Sequence, residues 1–361
     1  MSDVTGLIEA GEVVLPCEDL EQSLTFFTER LGFRLDAIFP ADSPRVAAVS
    51  GYGLRLRLER GPDERNRSPG LLRLRCHDPK AVAGGDLTLT APNGTRIELA
   101  ALSSPPALPP PVQEFVVSKM GGDAEWEVGR AGMRYRDVIP CRLGGGFIVS
   151  HIKIPDGGPV PDYVHFHKIR FQMIYCYKGW VRVVYEDQGE PFVMRPGDCV
   201  LQPPEIRHRV LEASPGLEVV EVGCPAEHLT CVDHDLSLPT ERLRPERDFG
   251  GQRFVCHRAA EAVWDSWRLA GFEARDTGIE AATGGLANVR VARPNGPINA
   301  IPSHHQGALL FFFVLQGSML LNFLGGDELR MASGDAAVLP SGKEFRIADR
   351  TENLEILEVC L

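Results

Sequence analysis

Gly158-Pro159-Val160-Pro161-Asp162-Tyr163-Val164-His165-Phe166-His167-Lys168-Ile169-Arg170-Phe171-Gln172-Met173-Ile174-Tyr175-Cys176-Tyr177-Lys178-Gly179 places two histidines two residues apart in an apolar run bounded by glycine and proline. Short runs of this kind read as strands, and alternate side chains of a strand share a face. His165 and His167 therefore point the same way. Farther along come Gly197-Asp198, Pro203 and His208. Two imidazoles fixed on one strand, with a third ligand from a later one, suit a divalent transition metal.

The spacing resembles that of the cupin superfamily. The family's first motif is G-x5-H-x-H-x3,4-E-x6-G, and this chain has G-x6-H-x-H-x4-Q-x6-G from Gly158 to Gly179. The second motif, G-x5-P-x-G-x2-H-x3-N, is matched by Gly197, Pro203 and His208, with Glu205 in place of the inner glycine. The resemblance implies a double-stranded β-helix (jelly-roll) barrel with His165, His167, Gln172 and His208 as metal ligands. It implies one divalent transition metal per chain, iron first, with nickel, manganese, cobalt and zinc as the other ions that accept imidazole. Gln172 stands where the family has glutamate. Its amide oxygen can coordinate but carries no charge, so the ion would keep its full charge and favour an anionic substrate. Tyr163 shares parity with His165 and His167. Arg170, Ile174 and Cys176 share parity with Gln172 if the strand is regular there. These four are the candidate substrate-binding residues; no catalytic residue is assigned.

Working outward, the pattern repeats. Arg136-Asp137 recurs as Arg275-Asp276, Gly158-Pro159 as Gly296-Pro297, Gly179 as Gly317, and Gly197-Asp198 as Gly334-Asp335. Leu217-Glu218-Val219-Val220-Glu221-Val222 recurs as Leu354-Glu355-Ile356-Leu357-Glu358-Val359. The offset drifts only from 139 to 137, the register of a tandem duplication. In the second copy the ligand frame reads Ser303, His305, Leu310 and Phe345, so no metal is expected there. That copy is expected to bury surface against its twin; a ligand in an apolar cavity is the other reading. The apolar run 309–315 exceeds what a strand with one wet face needs, and it suits a position between barrels or between subunits.

Upstream, Ser103-Ser104-Pro105-Pro106-Ala107-Leu108-Pro109-Pro110-Pro111 reads as a linker, since proline at this density continues neither helix nor central strand. Before it, Asp19 and Gln22 form a capping-box pattern, with Leu20, Leu24, Phe27 and Leu31 on one helix face and Gly32 at its end. Strands are expected at 45–49, 54–58 and 71–76. Asp19-Leu20-Glu21-Gln22-Ser23, Phe26-Phe27, Leu31-Gly32-Phe33 and Pro92-Asn93-Gly94-Thr95-Arg96-Ile97-Glu98-Leu99 resemble the vicinal oxygen chelate (glyoxalase and bleomycin-resistance) family. Of that family's ligand positions only Glu98 and Glu12 are acids here, with Leu71 near the histidine position, so no metal is expected in this domain. Alternation puts Leu54, Leu56 and Leu58 toward the helices. Arg55, Arg57, Arg73, Arg75 and Arg96 then lie on the other face, as an anion-binding cup or, by preference, paired with acids of the other half or of a second subunit.

The fold expected is mainly β: residues 1–101 a small α+β βαβββ-type domain, 102–112 a linker, 113–236 a metal-binding cupin barrel, 237–252 a connector and 253–361 a degenerate barrel. A net charge of -11 argues against nucleic acid and anionic membranes as partners. No apolar run approaches the roughly 20 residues of a membrane span, and the first residues lack a basic signal-peptide region. The nine cysteines are irregularly spaced with no C-x-x-C pair, which suggests reduced thiols and a cytoplasmic location. The function expected is that of a metal-dependent cupin enzyme on a small anionic or chelating substrate, first a dioxygenase. A Lewis-acid isomerase, lyase or cyclase and a non-catalytic small-molecule or metal binder are the alternatives. A homodimer fits the apolar run.

Overall fold

A computed structural model describes residues 8–17, 19–30, 32–51, 53–60, 71–83, 86–90, 96–102, 108–110, 112–121, 125–298 and 301–361. Leu31 and most of the expected linker lie outside these. Contacts divide the chain into two compact units: residues 1–107 with 165–168 and 228–235, and residues 108–164, 169–227 and 236–361.

The first unit is a sheet with short helical segments at 20–30 and Pro79–Ala83 against it. Ile8–Cys17, Leu20–Thr25, Arg34–Phe39, Val46–Gly51 and Leu54–Arg60 follow in βαβββ order. Asp19 caps the helix: its carboxylate accepts the Gln22 backbone N–H at 2.9 Å and the Gln22 side-chain amide at 2.9 Å. Leu56 and Leu58 are buried against the helical Leu20, Leu24 and Phe27, whereas Leu54 is exposed. On the opposite face Arg55, Arg57 and Arg73 are drawn to acids, while the Arg96 side chain lies outside the described residues. Arg73 bonds Glu98 at 2.7 Å and reaches Glu12 and Glu59, Arg57 pairs with Glu59, and Arg55 approaches Glu12. These acids come from the same sheet, because neighbouring strands put Arg73 level with both Glu12 and Glu98. Glu12 and Glu98 are thus held as counterions. At the sheet's far edge Ala37 and Ile38 pair with Cys231 and Thr230, and Leu229–Val232 then pairs with His165–Lys168.

The second unit holds two barrels back to back. Each has a seven-stranded sheet, one built around Phe171–Lys178 and Leu217–Cys224, the other around Leu310–Gln316 and Glu355–Cys360. Strand parity sorts the side chains. Phe171, Met173, Tyr175, Val220 and Val222 meet Phe311, Phe313, Leu357 and Val359 in the core between the sheets. Residues of the other parity, such as Cys176 and Val219, fill the first barrel, and Leu310, Phe312, Val314 and Ile356 fill the second. The long apolar run is therefore explained within one chain: its strand is buried on both faces.

Each repeat lends its first strand to the other. Val116–Ser118 pairs with Ala336–Val338, and Val255–His257 pairs with Cys199–Leu201. The repeated arginines do the same. Arg136 donates to Gly334 O at 2.8 Å, and Arg275 to Gly197 O at 3.0 Å. The repeated aspartates complete the set: Asp335 accepts Met120 N at 2.8 Å and Asp198 accepts Ala259 N at 2.9 Å. Gly197 has φ +95, and a Cβ there would lie 2.7 Å from Ala259 Cβ; Gly334, at φ +86, would meet Met120 at 2.8 Å. Close approach as well as backbone conformation requires glycine at both. Cys17, Cys141, Cys176, Cys199, Cys224, Cys256 and Cys360 form no disulfide. Among the described residues no helix is long and apolar enough to cross a membrane.

Candidate metal centre

His165 and His167 lie on the short strand His165–Lys168, whose burial alternates. Their rings meet edge to face at 5.3 Å between centroids. His208 opens the strand His208–Ala213 opposite Tyr185, whose ring stacks on it at 5.5 Å. All three imidazoles are buried. One ligand atom of each lies within 4.8 Å of the others.

Two of the three rings are oriented by hydrogen bonds at Nδ1. His208 Nδ1 lies 3.0 Å from Ile206 O, a partner that only accepts, so Nδ1 carries the proton and Nε2 the lone pair. His167 Nδ1 lies 3.0 Å from the hydroxyl of Thr230, itself fully buried. This is how metal-ligating histidines are commonly held, with the distal nitrogen bonded so that the other can donate to the ion. Burial pushes His208 down to about 4, leaving it neutral and able to coordinate at ordinary pH. Three buried imidazoles, two of them oriented by hydrogen bonds, fit a divalent ion.

Gln172 is buried on the parity that faces the first barrel's interior. Its amide Nε2 donates to Glu221 Oε1 at 2.8 Å, which turns the carbonyl oxygen the other way. Glu221 was not singled out from the sequence, although it belongs to the repeated Leu217–Val222 pattern. Its parity, opposite to Val220 and Val222 of the inter-barrel core, gives it away only once the sheet is known. A second acid–base pair lies nearby. Arg130 and Asp162 form a buried ion pair, Asp162 also accepts Val210 N at 2.9 Å, and the Arg130 guanidinium sits 5.7 Å from the Tyr163 ring centre. His208 feels both charges. Thr230, His228 (5.4 Å from the His167 ring) and Arg130 had no sequence signal, because each comes from a segment far outside the motifs.

Of the candidate substrate residues, Tyr163 is half-buried beneath Arg130, and Ile174 and Cys176 pack into the first barrel. Cys176 is a core thiol: burial pushes it up to about 12. Arg170 lies one residue before Phe171–Lys178, the strand on which its parity was counted. It is exposed and donates its backbone N–H to Cys224 O at 2.9 Å. The strand's regular alternation begins only at Phe171, so counting back from Gln172 does not reach Arg170. In the second barrel, His305 Nε2 bonds Leu339 O at 2.7 Å, and Ser303 bridges to Phe345.

Residues 290–360 match the family model described as a cupin domain. No curated protein matches the chain. Among solved structures, a point mutant of Bacillus subtilis oxalate decarboxylase OxdC is similar at 13% identity, over 69% of this chain and 77% of that one, with a TM-score of 0.49. The same enzyme at pH 4.6 gives 13% identity, 69% and 76% coverage and a TM-score of 0.47. A Lactobacillus farciminis oxalate decarboxylase formate complex gives 14% identity, 68% and 85% coverage and a TM-score of 0.47. At this level of likeness none of their chemistry carries over.

Proposed function

We propose that the first barrel is the centre of a metal-dependent cupin enzyme. It holds one divalent transition metal, iron first, at His165, His167 and His208, with Gln172 as fourth ligand, and acts on a small anionic or chelating molecule by dioxygenation. The observation that carries the reading is three buried imidazoles drawn together, two with Nδ1 already hydrogen-bonded. When bound, the ion would supply Lewis acidity and open coordination positions to a chelating substrate.

The rest falls to the chain's own residues. Thr230 and Ile206 O hold the tautomers of His167 and His208. Four neutral ligands leave the ion's charge uncompensated, which draws an anion. Asp162 fixes Arg130, and with it Tyr163, as a second positive element for orienting such an anion. The packed barrel interior keeps bulk water out. A second reading, a Lewis-acid isomerase, lyase or cyclase, is favoured by Glu221: a carboxylate bonded to a ligand side chain is placed to move a proton. The N-terminal unit we read as a vicinal-oxygen-chelate-type module, on its βαβββ order.

Elemental analysis of untagged protein, beside the double variant His165→Ala, His208→Ala, tests the centre. The expected result is about one ion per wild-type chain and none in the variant. Protein that takes up no metal even on reconstitution would remove the enzyme reading and leave a binding or structural protein. With metal present, oxygen consumption on turnover supports dioxygenation, and turnover without it selects the Lewis-acid reading.

A further inference from the structure

In the second barrel Leu310 and Phe345 stand at two positions of the ligand frame, and a guanidinium occupies the corresponding place. Register aligns Ser303 with His165, Phe345 with His208 and Glu358 with Glu221. The Arg268 guanidinium touches all three. It donates to Ser303 Oγ at 2.7 Å, pairs with Glu358, and lies 5.8 Å from the Phe345 ring centre. Glu358 is 4% exposed at its side chain and Arg268 31% exposed, so the acid anchors the guanidinium from the buried side. A guanidinium has five N–H donors, and these two contacts leave others unspent.

Those donors border a cavity of about 110 Å³. Apart from Arg268 and Ser303, its walls are apolar, including Leu269, Phe272, Ile301 and Ile347. A second guanidinium, Arg350, lies over the Phe272 ring at 5.4 Å. Two fixed positive charges against one carboxylate leave the surroundings net positive, and neither arginine can be discharged by pH. An apolar cavity of about 150 Å³ holds a benzene-sized molecule, so this one suits roughly four to six heavy atoms.

We propose that the second barrel is a binding site for a short-chain monocarboxylate. The carboxylate takes the open donors of Arg268 and the Ser303 hydroxyl, and the alkyl tail lies among Leu269, Phe272, Ile301 and Ile347. The site is independent of the metal centre and needs no metal. It makes the duplicated barrel a sensor of small acids instead of a spacer.

Butyrate titrated into the full-length, metal-stripped protein by calorimetry tests this. The expected result is one saturable site in the millimolar range, at least tenfold weaker for 1-butanol, which keeps the tail but not the charge. Two variants separate binding from folding. Arg268→Met with Glu358→Gln removes both charges, so no buried carboxylate is left unpaired. Ala270→Phe fills the cavity from an exposed wall position and keeps the arginine. Each is expected to weaken butyrate at least tenfold while melting as a folded protein. No saturation by tens of millimolar butyrate, equal binding of butanol, or butyrate binding unchanged in either variant overturns the proposal.

Discussion

At the scale of single residues, the hydroxyl of Thr230 and the carboxylate of Glu218 have separable, measurable effects. Thr230→Val keeps size and β-branching but removes the hydrogen bond to His167 Nδ1. Loss of such a partner typically costs about 10- to 100-fold in metal affinity. Competition against a chelator is expected to show a drop in that range with an unchanged circular dichroism spectrum; full retention of affinity would mean that Thr230 only packs. Glu218 sits elsewhere, against the fully buried His151, which is ringed by Trp126, Tyr177 and Phe313. Burial alone would raise Glu218, but the 2.9 Å bond from His151 and the Lys178 charge hold it at about 2. Burial lowers His151, which therefore folds neutral. Both groups bind fewer protons folded than unfolded, so both stabilise at higher pH and lose that contribution on acidification. The His151 share fades below its ordinary 6.5, and the Glu218 share fades from its ordinary 4.5 down to about 2. Urea midpoints are expected to fall through this acid range. Glu218→Gln is expected to cost about 1.5–3 kcal/mol at neutral pH and to flatten the profile below pH 4.5. An unchanged acid slope in the variant would assign the pH dependence to other groups.

At the scale of elements, the two barrels are joined by parts they exchange. Arg136 and Arg275 are nearly fully buried, and each reaches a carbonyl at the opposite barrel's Gly-Asp turn. Arg136→Ala leaves Gly334 O and Lys119 O without that donor. The expected loss is about 2–4 kcal/mol in chemical denaturation, and about the same for Arg275→Ala. A change below about 0.5 kcal/mol would show that water replaces the guanidinium without penalty. The repeat register found these arginines, glycines and aspartates in the sequence. What it did not carry was their direction. A motif recurring at an offset of 139 looks the same whether each copy bonds its own barrel or its twin; only the exchange of Val116–Ser118 and Val255–His257 decides that. The helix cap was legible for the opposite reason. Asp19 and Gln22 are three residues apart, and a contact that local needs no tertiary context.

At the scale of the whole molecule, metal and fold are linked. An ion that binds only the folded chain raises stability by RT ln(1 + [L]/Kd), about 2.7 kcal/mol at one hundred times Kd. Stepwise iron(II) or manganese(II) added under anaerobic conditions is expected to raise the melting temperature of the stripped wild type and not that of the His165→Ala, His208→Ala variant. Equal shifts in both would place the ion elsewhere. The N-terminal sheet has a part in this. Ile38 pairs with Thr230, so the residue that orients His167 is itself the continuation of that sheet. Ile38→Pro breaks this pairing and is expected to weaken metal retention several-fold, read by the same chelator competition.

Taken by itself, the sequence determined what depends on spacing: a mainly β chain, a duplication, and His165, His167 and Gln172 on chosen faces of their strands. Parity along a strand is a property of the backbone, and it survives without knowledge of the neighbours. Tertiary structure alone decided which residues stand around those faces. Glu221 and Thr230 arrive on strands tens of residues away, Arg170 falls outside the regular strand, and the arginines of the N-terminal sheet find their acids through cross-strand register. The second barrel is the sharpest case. Leu310 and Phe345 are legible in the sequence as side chains that cannot ligate a metal, but the guanidinium of Arg268 reaches Glu358 only because folding brings together residues 90 positions apart.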